Sequence, residues 1–312
     1  MRVLVTGASG FVGAALCRDL LARGHSVLAA VRHLNAAREA PPGLRQILVP
    51  DLAGEIDRRG LLEDVDVVVH TAAIAHRAAD EGEIRRVNFD ATARLAQAAA
   101  GRVRRFVFLS SVKVHGEDSG ERAFAETDPT RPEDSYGRAK LDAERSLTDS
   151  AARSGMEVVS LRPPLVYGPR VKANFLRLLR WVNSGLPLPL ASVHNRRSLI
   201  YLGNLVDAIA RCVEHPDARG AFLVSDEEVV STPELVSRIA RALGRPTRLL
   251  AVPPRLLRSI AAIAGRGDEA RRATGNLATD ISRARRLLEW RPPHTLDQGL
   301  AETAGWFRSA RR

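Results

Sequence analysis

The sequence predicts an α/β fold, in which a doubly wound parallel sheet is followed by a smaller and mostly helical lobe. Short apolar runs alternate with amphipathic segments through the first half of the chain, which is typical of parallel strands joined by crossover helices. The alternation ends at Pro163 and Pro164, and most later segments have a helical pattern. We therefore expect residues 1–167, joined by about 198–225, to form one domain and residues 168–312 to form a discontinuous second lobe.

The predicted strands are short apolar runs, because helices cover both faces of a parallel sheet. They are Arg2–Thr6, Ser26–Val31, Arg45–Val49, Val65–His70, Arg105–Leu109 and Glu157–Leu161. The predicted helices between them are Gly13–Ala22, a short one near Leu61, Arg85–Ala99 and Tyr136–Ser154. Beyond them we expect a helix at Asn174–Asn183, a strand end and helix within Ile200–Glu214, a strand at Ala221–Ser225 and a capped helix at Thr232–Leu243.

A glycine-rich turn joins the first predicted strand to the first predicted helix. Gly7 and Gly10 allow the backbone to turn tightly and approach a pyrophosphate, and Gly13 allows the helix and strand to pack closely. Free amides and the dipole at the helix N-terminus attract anions. The turn therefore predicts a dinucleotide site of the Rossmann type, formed by Gly7, Ser9, Gly10, Phe11, Val12 and Gly13.

A tyrosine and a lysine lie four residues apart at Tyr136 and Lys140, on one face of a predicted helix. A lysine cation near the phenol favours the phenolate, so we expect the pKa of Tyr136 to fall from about 10 towards neutrality. A tyrosine with such a pKa exchanges protons with an alcohol or a carbonyl. The pair alone is common in unrelated helices, and its meaning depends on the glycine turn upstream.

Composition excludes several classes of protein. The chain has 312 residues, 45% of them hydrophobic, and no apolar run long enough for a membrane span. The two cysteines, Cys17 and Cys212, have no paired spacing, which favours a reduced cytoplasmic environment. The net charge of +11 is spread along the chain as scattered arginines, so we expect no nucleic-acid partner. We expect no metal site, because no cluster of ligating residues occurs.

Seven ordered motifs make the chain resemble the extended short-chain dehydrogenase/reductases, the NAD-dependent epimerase/dehydratase family that acts on nucleotide sugars. The resemblance covers nearly the whole length. The motifs are TGASGFVG at 6–13, Asp51-Leu52, VVVHTAA at 67–73, VNFDAT at 87–92, FLSSVKVHG at 108–116, YGRAK at 136–140 and LRPPLVYGP at 161–169.

The resemblance implies roles for individual residues. Ser111 matches the family serine that hydrogen-bonds the reacting sugar oxygen, with Ser110 as an alternative one position away. Tyr136 is the implied acid/base, and Lys140 also holds the nicotinamide ribose. Asp51 implies a contact with the adenine amino group. The remaining residues that we assign to the cofactor on this basis are Leu52, Ala72, Ala73, Asn88 and Pro163.

The end of the second strand departs from the family's NAD pattern. An acid that binds the ribose hydroxyls is expected there, but Val31 occupies the position and Arg32 follows it. No carboxylate repels a 2′-phosphate, and a guanidinium is available to bind one. We therefore expect NAD(P)(H) as cofactor, with a preference for NADP(H).

The resemblance also implies a substrate site for a UDP-sugar. Asn174 matches a helix-start asparagine that touches the nucleotide diphosphate, and Arg197, which aligns better than Arg196, matches an arginine that grips it. Lys113 occupies a position where many relatives carry Thr or Ser, and we assign it to substrate. Two further arginines, Arg271 and Arg272, are expected to be structural, as is His76 after the fourth strand.

Several segments resemble reductases of bacterial surface-polysaccharide synthesis, which predicts NAD(P)H-dependent C4 reduction of a UDP-4-keto-6-deoxy-N-acetylhexosamine. The alternative is a UDP-hexose 4-epimerase that uses the same residues with bound NAD. A less favoured alternative is a non-catalytic NADP-sensing or RNA-binding relative. The family also suggests a homodimer formed through helices Arg85–Ala99 and Tyr136–Ser154.

Overall fold

A seven-stranded parallel sheet forms the centre of the first half of the molecule. The computed structural model describes residues 1–34, 41–54, 57–75, 79–263, 265 and 267–310. The strand order in the large sheet is β3-β2-β1-β4-β5-β6-β9, and a smaller sheet has the order β10-β8-β7. The strands are β1 (Arg2–Thr6), β2 (Ser26–Val31), β3 (Arg45–Leu48), β4 (Val67–His70), β5 (Arg105–Leu109), β6 (Glu157–Arg162), β7 (Leu165–Tyr167), β8 (Arg197–Tyr201), β9 (Gly220–Leu223) and β10 (Val229–Val230).

Helices cover both faces of the large sheet and form most of the later part of the chain. In chain order the α-helices are α1 (Phe11–Ala22), α2 (Arg58–Leu61), α3 (Glu81–Arg85), α4 (Ala91–Ala99), α5 (Ser135–Ser154), α6 (Ala173–Ser184), α7 (Leu202–Glu214), α8 (Thr232–Leu243), α9 (Pro254–Ile263), α10 (Gly267–Thr274), α11 (Ser282–Leu287) and α12 (Leu296–Ser309). No helix within these described residues is long and apolar enough to cross a membrane.

Two apolar cores lie on opposite faces of the large sheet, because both faces of its strands carry aliphatic side chains. On one face α1 and α7 bury Leu16 and Leu205 against the sheet. On the other face α4 and α5 bury Leu95 and Leu147. The sheet is therefore doubly wound, and its strands end at one shared edge where loops can meet a ligand.

A third core holds the small sheet and the later helices together. It contains side chains from α6, α8 and α12, among them Phe175, Ile239 and Phe307. The buried carboxylate of Asp226 joins its parts, since it accepts hydrogen bonds from the Tyr167 hydroxyl (2.9 Å) and the Asn204 amide (2.7 Å). These bonds hold β7 and α7 to the segment that follows β9, the last strand of the large sheet.

The predicted strands agree with the structure to within two residues at each end. One predicted helix, Arg85–Ala99, is wrong as a single regular helix. The segment begins earlier as α3, continues through a π-helical turn at Arg86–Asp90 and ends as α4. The π turn carries the buried Asn88, whose side chain bonds to a neighbouring loop and not to solvent. This local widening of the helix is set by a tertiary contact, so helical periodicity does not reveal it.

Candidate active site

The glycine turn at 6–13 leaves no room for additional side chains. Gly7 has a left-handed φ of 70°, and a Cβ there would lie 2.7 Å from the Ala72 amide nitrogen. A Cβ on Gly13 would lie 2.2 Å from the Gly7 carbonyl oxygen. The Gly10 amide closes the turn by donating to the Gly7 carbonyl over 2.8 Å. Backbone contacts therefore require glycine at positions 7 and 13.

The N-terminus of α1 opens onto this turn. Its N-cap is Gly10, and no side chain caps the helix. Ser9 and Gly10 are exposed, while Phe11 and Val12 are half-buried. Uncapped amides and the helix dipole favour an anionic group here. The predicted cofactor residues thus form a narrow backbone cradle whose size and charge suit a pyrophosphate.

Asn88 holds the loop that follows β4, where Ala72 and Ala73 lie. The Asn88 Oδ1 accepts from the Ile74 amide over 2.8 Å, and its Nδ2 donates to the Ile74 carbonyl over 3.0 Å. Asn88 is completely buried. In the structure it positions the loop beside the cradle, and its direct contact with a cofactor stays a prediction.

A buried histidine, which the sequence interpretation missed, connects this loop to the glycine turn. His70 places Nδ1 2.7 Å from the Thr6 hydroxyl and Nε2 3.0 Å from the Thr92 hydroxyl. Thr92 donates its proton to the Asn88 carbonyl, so its oxygen accepts from Nε2–H. Burial, together with the charge of Lys140, lowers the pKa of His70 to about 3. The imidazole is therefore a neutral structural link.

The residues assigned to the adenosine half of the cofactor lie at the surface. Val31 is buried, and Arg32 directly after it is exposed. The Asp51 carboxylate accepts from the Arg86 guanidinium over 2.5 Å and from the Ala53 amide over 2.9 Å. The bond from Arg86 holds the pKa of Asp51 below its ordinary value. An adenine amino group would share this carboxylate with Arg86, and the contact predicted for the adjacent Leu52 stays a prediction.

Helix α5 is docked tightly against the turn that follows β5. Asp134 caps the helix, since its Oδ1 accepts from the Gly137 amide over 2.7 Å. A Cβ on Gly137 would lie 2.8 Å from the Lys113 carbonyl oxygen. The adjoining 3₁₀ turn, Val112–Val114, is held by the Val112 amide, which donates to the Pro163 carbonyl over 3.0 Å. This close approach places Tyr136 beside Ser111.

The structure brings Ser111 together with Tyr136. The Ser111 hydroxyl lies close enough to the Tyr136 phenol to lower its pKa, and it accepts from the Lys113 amide over 3.2 Å. The Ser110 hydroxyl, by contrast, is buried and has no hydrogen-bond partner among the described residues. The geometry therefore favours Ser111 over its neighbour as the partner of the phenol.

Lys140 lies beneath these two residues. Its ammonium donates to the Leu109 carbonyl over 2.8 Å. It lies 4.5 Å from the centre of the Phe108 ring and 5.9 Å from the centre of the Tyr136 ring. Burial lowers the pKa of Lys140 to about 7, although the nearby Glu144 raises it. The three predicted catalytic residues are thus assembled at the carboxyl end of β5.

The prediction that Lys140 lowers the pKa of Tyr136 is wrong when only the groups that the protein itself supplies are considered. Burial raises the pKa of Tyr136 above its usual range, the Asp134 charge raises it further, and only the Ser111 hydroxyl opposes them. A lysine whose own pKa is about 7 carries its positive charge in only about half of the molecules at neutral pH. Tyr136 is therefore a phenol, and it needs a further positive charge nearby to act as a base.

Lys113 is held by two carboxylates and does not extend freely into a sugar pocket. Its ammonium donates to Glu117 Oε1 over 2.5 Å and to Asp134 Oδ2 over 2.7 Å. Burial lowers the pKa of Lys113, but the two ion pairs outweigh it and raise the pKa overall. Lys113 therefore connects the helix cap to the serine turn, and its predicted contact with substrate stays a prediction.

Two half-buried arginines, Arg197 and Arg272, lie near enough to this cluster and to each other for their charges to interact. Arg197 has one long hydrogen bond, 3.5 Å to the Gly275 carbonyl. Burial lowers its pKa, Glu117 and Asp118 raise it, and Arg272 lowers it further. The Arg272 Nε is buried without a hydrogen-bond partner in the described part of the chain. Both arginines thus retain donors that an anion can use. Sequence interpretation undervalued Arg272, because its proximity to Arg197 is purely tertiary.

The other residues considered for the substrate lie elsewhere. Arg196 is exposed and donates to the Glu121 carbonyl over 2.8 Å, and Arg271 pairs with Glu133 at 3.1 Å. Asn174 lies exposed in the first turn of α6, where its Oδ1 accepts from Arg177 over 2.5 Å. Its role stays a prediction, and His76 lies outside the described residues. Within those residues no group of acidic, histidine or cysteine side chains converges as a metal site requires.

Comparison with known proteins identifies the family. The model of the NAD dependent epimerase/dehydratase family matches residues 3–224. The chain belongs to this family. Membership confirms the prediction of an NAD-dependent enzyme, and it does not support the non-catalytic alternative.

Individual relatives agree with this assignment. A UDP-glucose 4-epimerase from Vibrio cholerae is 43% identical over 99% of this chain and 96% of its own length. The structure of MoeE5 in complex with UDP-glucose and NAD is 28% identical, with a TM-score of 0.80 and full coverage of both chains. A UDP-glucuronic acid 4-epimerase from Bacillus cereus, in complex with NAD, has a TM-score of 0.81 at 22% identity, again over 100% of both chains. That likeness confirms the Rossmann-type fold.

Proposed function

We propose that this member of the NAD-dependent epimerase/dehydratase family is a UDP-hexose 4-epimerase. The observation that carries the proposal is the assembly of Ser111, Tyr136 and Lys140 beside the glycine cradle. This is the set of groups needed to move a proton on and off a sugar hydroxyl next to a nicotinamide. The 43% identity to a UDP-glucose 4-epimerase over 99% of the chain supports C4 of a hexose as the reacting position.

The proposed reaction is an oxidation followed by a reduction at the same carbon. When bound, oxidised nicotinamide supplies a positive charge near Tyr136 and reversibly accepts the hydride from C4 of the sugar. Tyr136 removes the proton from the C4 hydroxyl and later returns it to the 4-keto oxygen. The Ser111 hydroxyl donates to that oxygen and so stabilises charge developing on it. Inversion requires the keto sugar to present its other face before the hydride returns.

Lys140 has two proposed tasks in this reaction. The ammonium lies 5.9 Å from the centre of the Tyr136 ring, so its charge favours the phenolate whenever the lysine is protonated. Its position between β5 and α5 also suits a contact with the nicotinamide ribose. The Leu109 carbonyl fixes its direction through the 2.8 Å bond.

We propose that Arg197 and Arg272 bind the substrate diphosphate. Their unused donors and mutual repulsion in a buried setting both favour an anion between them. Asn174 and Lys113 are secondary proposed contacts. Arg197 begins β8 and Arg272 lies in α10, so the diphosphate would join two elements of the later part of the chain.

We propose NAD as the cofactor, held by Gly7, Gly10, Gly13 and the N-terminus of α1. MoeE5, at 28% identity, was solved with NAD, and an epimerase regenerates its cofactor in every cycle. The predicted preference for NADP(H) depends on the missing acid at Val31 and on the guanidinium of Arg32, and the second of these is tested below.

The C4 reductase that the sequence first suggested is the competing proposal, because Val31 and Arg32 replace the acid typical of NAD binding. The relatives support the epimerase better. One experiment separates the two. The protein is incubated with UDP-glucose, and separately with UDP-4-keto-6-deoxy-N-acetylglucosamine plus NADH or NADPH. An epimerase converts UDP-glucose to UDP-galactose without net change in nicotinamide absorbance. Stoichiometric oxidation of NADH or NADPH by the keto sugar, without epimerisation of UDP-glucose, would establish the reductase.

A further inference from the structure

Two runs in the later part of the chain carry basic residues and no acidic ones. No Asp or Glu occurs between Leu235 and Ile263, although this run contains six arginines. The run from Lys172 to Leu190 is likewise basic. Acidic residues of other segments neutralise part of this charge, since Arg238 pairs with Glu228 and Glu234 and Arg177 pairs with Glu269. The positive charge that remains is carried by the arginines that make no such pair.

Helix α9 presents a stripe of aliphatic side chains to solvent. Leu256, Ile260 and Ile263 are spaced four and three residues apart, so they share one helix face. They are 52%, 55% and 90% exposed. Buried residues are absent from the described part of the helix. Scattered exposed aliphatics are ordinary, but a continuous stripe of three on one helix indicates an interaction surface.

Two arginines lie on the polar side of α9, since successive residues are about 100° apart round a helix and Arg258 falls nearly opposite the stripe. Arg255 and Arg258 are exposed on the same helix, and neither makes an ion pair with any described residue. An exposed aliphatic face beside exposed arginines is the pattern of a helix that lies in a lipid headgroup layer. Arginine side chains extend towards anionic headgroups while the aliphatic side chains enter the acyl boundary.

Further apolar side chains are exposed on neighbouring segments. They are Trp181, Leu186 and Leu250, of which Leu250 is 52% exposed and precedes α9 by four residues. The segments are in contact, because the Leu250 amide donates to the Leu188 carbonyl over 2.8 Å. Arg248 also donates to the Gly185 carbonyl over 3.3 Å. These bonds join the segment before α9 to the loop that follows α6, and α6 carries the exposed Trp181, a residue type that membrane interfaces favour.

We propose that α9 and the adjoining segments form a docking surface for an anionic lipid bilayer. We call it the α9 surface: Leu256, Ile260 and Ile263, with Arg255 and Arg258 on the polar side of the same helix. Charge complementarity selects the occupant, since arginines without an ion-pair partner in the described part of the chain are attracted to anionic headgroups. An RNA partner would use the arginines but gain nothing from three exposed aliphatic side chains. Docking would keep the enzyme at a membrane surface without any spanning helix.

Vesicle co-sedimentation tests the proposal with the full-length protein. One set of vesicles is phosphatidylcholine alone, and the other contains about 30% phosphatidylglycerol as the anionic lipid. We expect binding to the anionic set and not to the neutral set. Arg255→Gln with Arg258→Gln should weaken it about fivefold for each arginine. Ile260→Ser with Ile263→Ser should weaken it on the order of tenfold.

Matched controls lie on other surfaces. Leu287→Ser removes an aliphatic side chain that is 39% exposed in α11, and Arg291→Gln removes an exposed arginine. Both should bind vesicles as the unchanged protein does, and circular dichroism confirms that all variants fold. The proposal is overturned if anionic vesicles do not bind the protein. It is also overturned if the isoleucine variant retains full binding, or if both controls lose as much binding as the α9 variants, because a general polyanion attraction then explains the result.

Discussion

The cofactor cradle around Gly7 and Gly13 and the charged cluster around Lys113 and Arg197, which we call the substrate cluster, depend on different kinds of contact. Around Gly7 and Gly13 the contacts are backbone to backbone, and a single methyl group would lie 2.7 Å or 2.2 Å from its nearest neighbour. Around Lys113 and Arg197 the contacts are between charged side chains from separate segments. The cradle works through shape and the cluster through charge, so they respond differently to substitution and to pH.

The same difference explains how much the sequence could predict. The glycine turn is a local pattern, because its three glycines lie within seven residues of the chain. The doubly wound parallel sheet likewise follows from the alternation of strands and helices. The sequence also predicted Ser111, Tyr136 and Lys140 as a set, and the structure brings them together.

Tertiary contacts were beyond the sequence interpretation. The π turn at Arg86–Asp90 depends on Asn88 reaching Ile74. The proximity of Arg272 to Arg197 depends on how α10 is placed against β8. The pKa of Tyr136 could not be predicted from its spacing to Lys140, because burial of both groups outweighs their mutual interaction.

The largest expected effect comes from Gly13→Ala in the cradle. The new Cβ would lie 2.2 Å from the Gly7 carbonyl oxygen, and neither backbone can move without displacing β1 or α1. We expect a loss of at least about 3 kcal/mol in the free energy of unfolding, measured in urea, and loss of NAD binding in a fluorescence titration. The matched control is Gly305→Ala in α12, where a Cβ meets nothing within 4 Å. If the two variants behave alike, steric closure does not define the cradle.

In the substrate cluster the corresponding change is Arg197→Gln. The substitution removes the planar, charged guanidinium that we propose to bind the substrate diphosphate. It should raise KM for the UDP-sugar about 10- to 100-fold with little change in kcat. Arg196→Gln, one residue away and exposed, should leave KM within about twofold because surface contacts contribute little. Equal effects at both positions would show that Arg197 has no special role. Steady-state kinetics over a range of UDP-sugar concentrations gives the comparison.

The buried Lys140, beneath Tyr136, predicts a pH dependence of stability. Its pKa is about 7 in the folded chain against 10.5 for an ordinary lysine, so between these values the unfolded chain binds the extra proton. The free energy of unfolding should therefore rise with pH from about 7 to about 10, by at most about 1.4 kcal/mol per pH unit. Lys140→Met should lack this rise. Parallel urea titrations from pH 6 to pH 10 measure it, and identical slopes for both proteins would contradict the assigned pKa.

The smallest expected effect is at Arg32, at the edge of the cradle. Arg32→Ala should reduce affinity for NADP(H) by about threefold to tenfold and leave affinity for NAD(H) unchanged, because only the former carries a 2′-phosphate. Arg32→Lys keeps the positive charge but not the planar guanidinium, so its affinity for NADP(H) should lie between those of the unchanged protein and of Arg32→Ala. Calorimetric titration with each cofactor measures the ratio of the affinity for NADP(H) to the affinity for NAD(H). An unchanged ratio in Arg32→Ala would remove the reason for expecting any NADP(H) preference.

The most direct test of the central proposal is epimerisation of UDP-glucose in D₂O, monitored by NMR and by nicotinamide absorbance. We predict conversion to UDP-galactose with no deuterium at C4, because the hydride returns to the carbon from which it came, and no net change in absorbance. In Tyr136→Phe we predict that conversion falls by about 10²- to 10⁴-fold while NAD binding is retained, because only the proton carrier is lost. Deuterium at C4, net oxidation or reduction of the cofactor, or full activity in Tyr136→Phe would contradict the proposed mechanism.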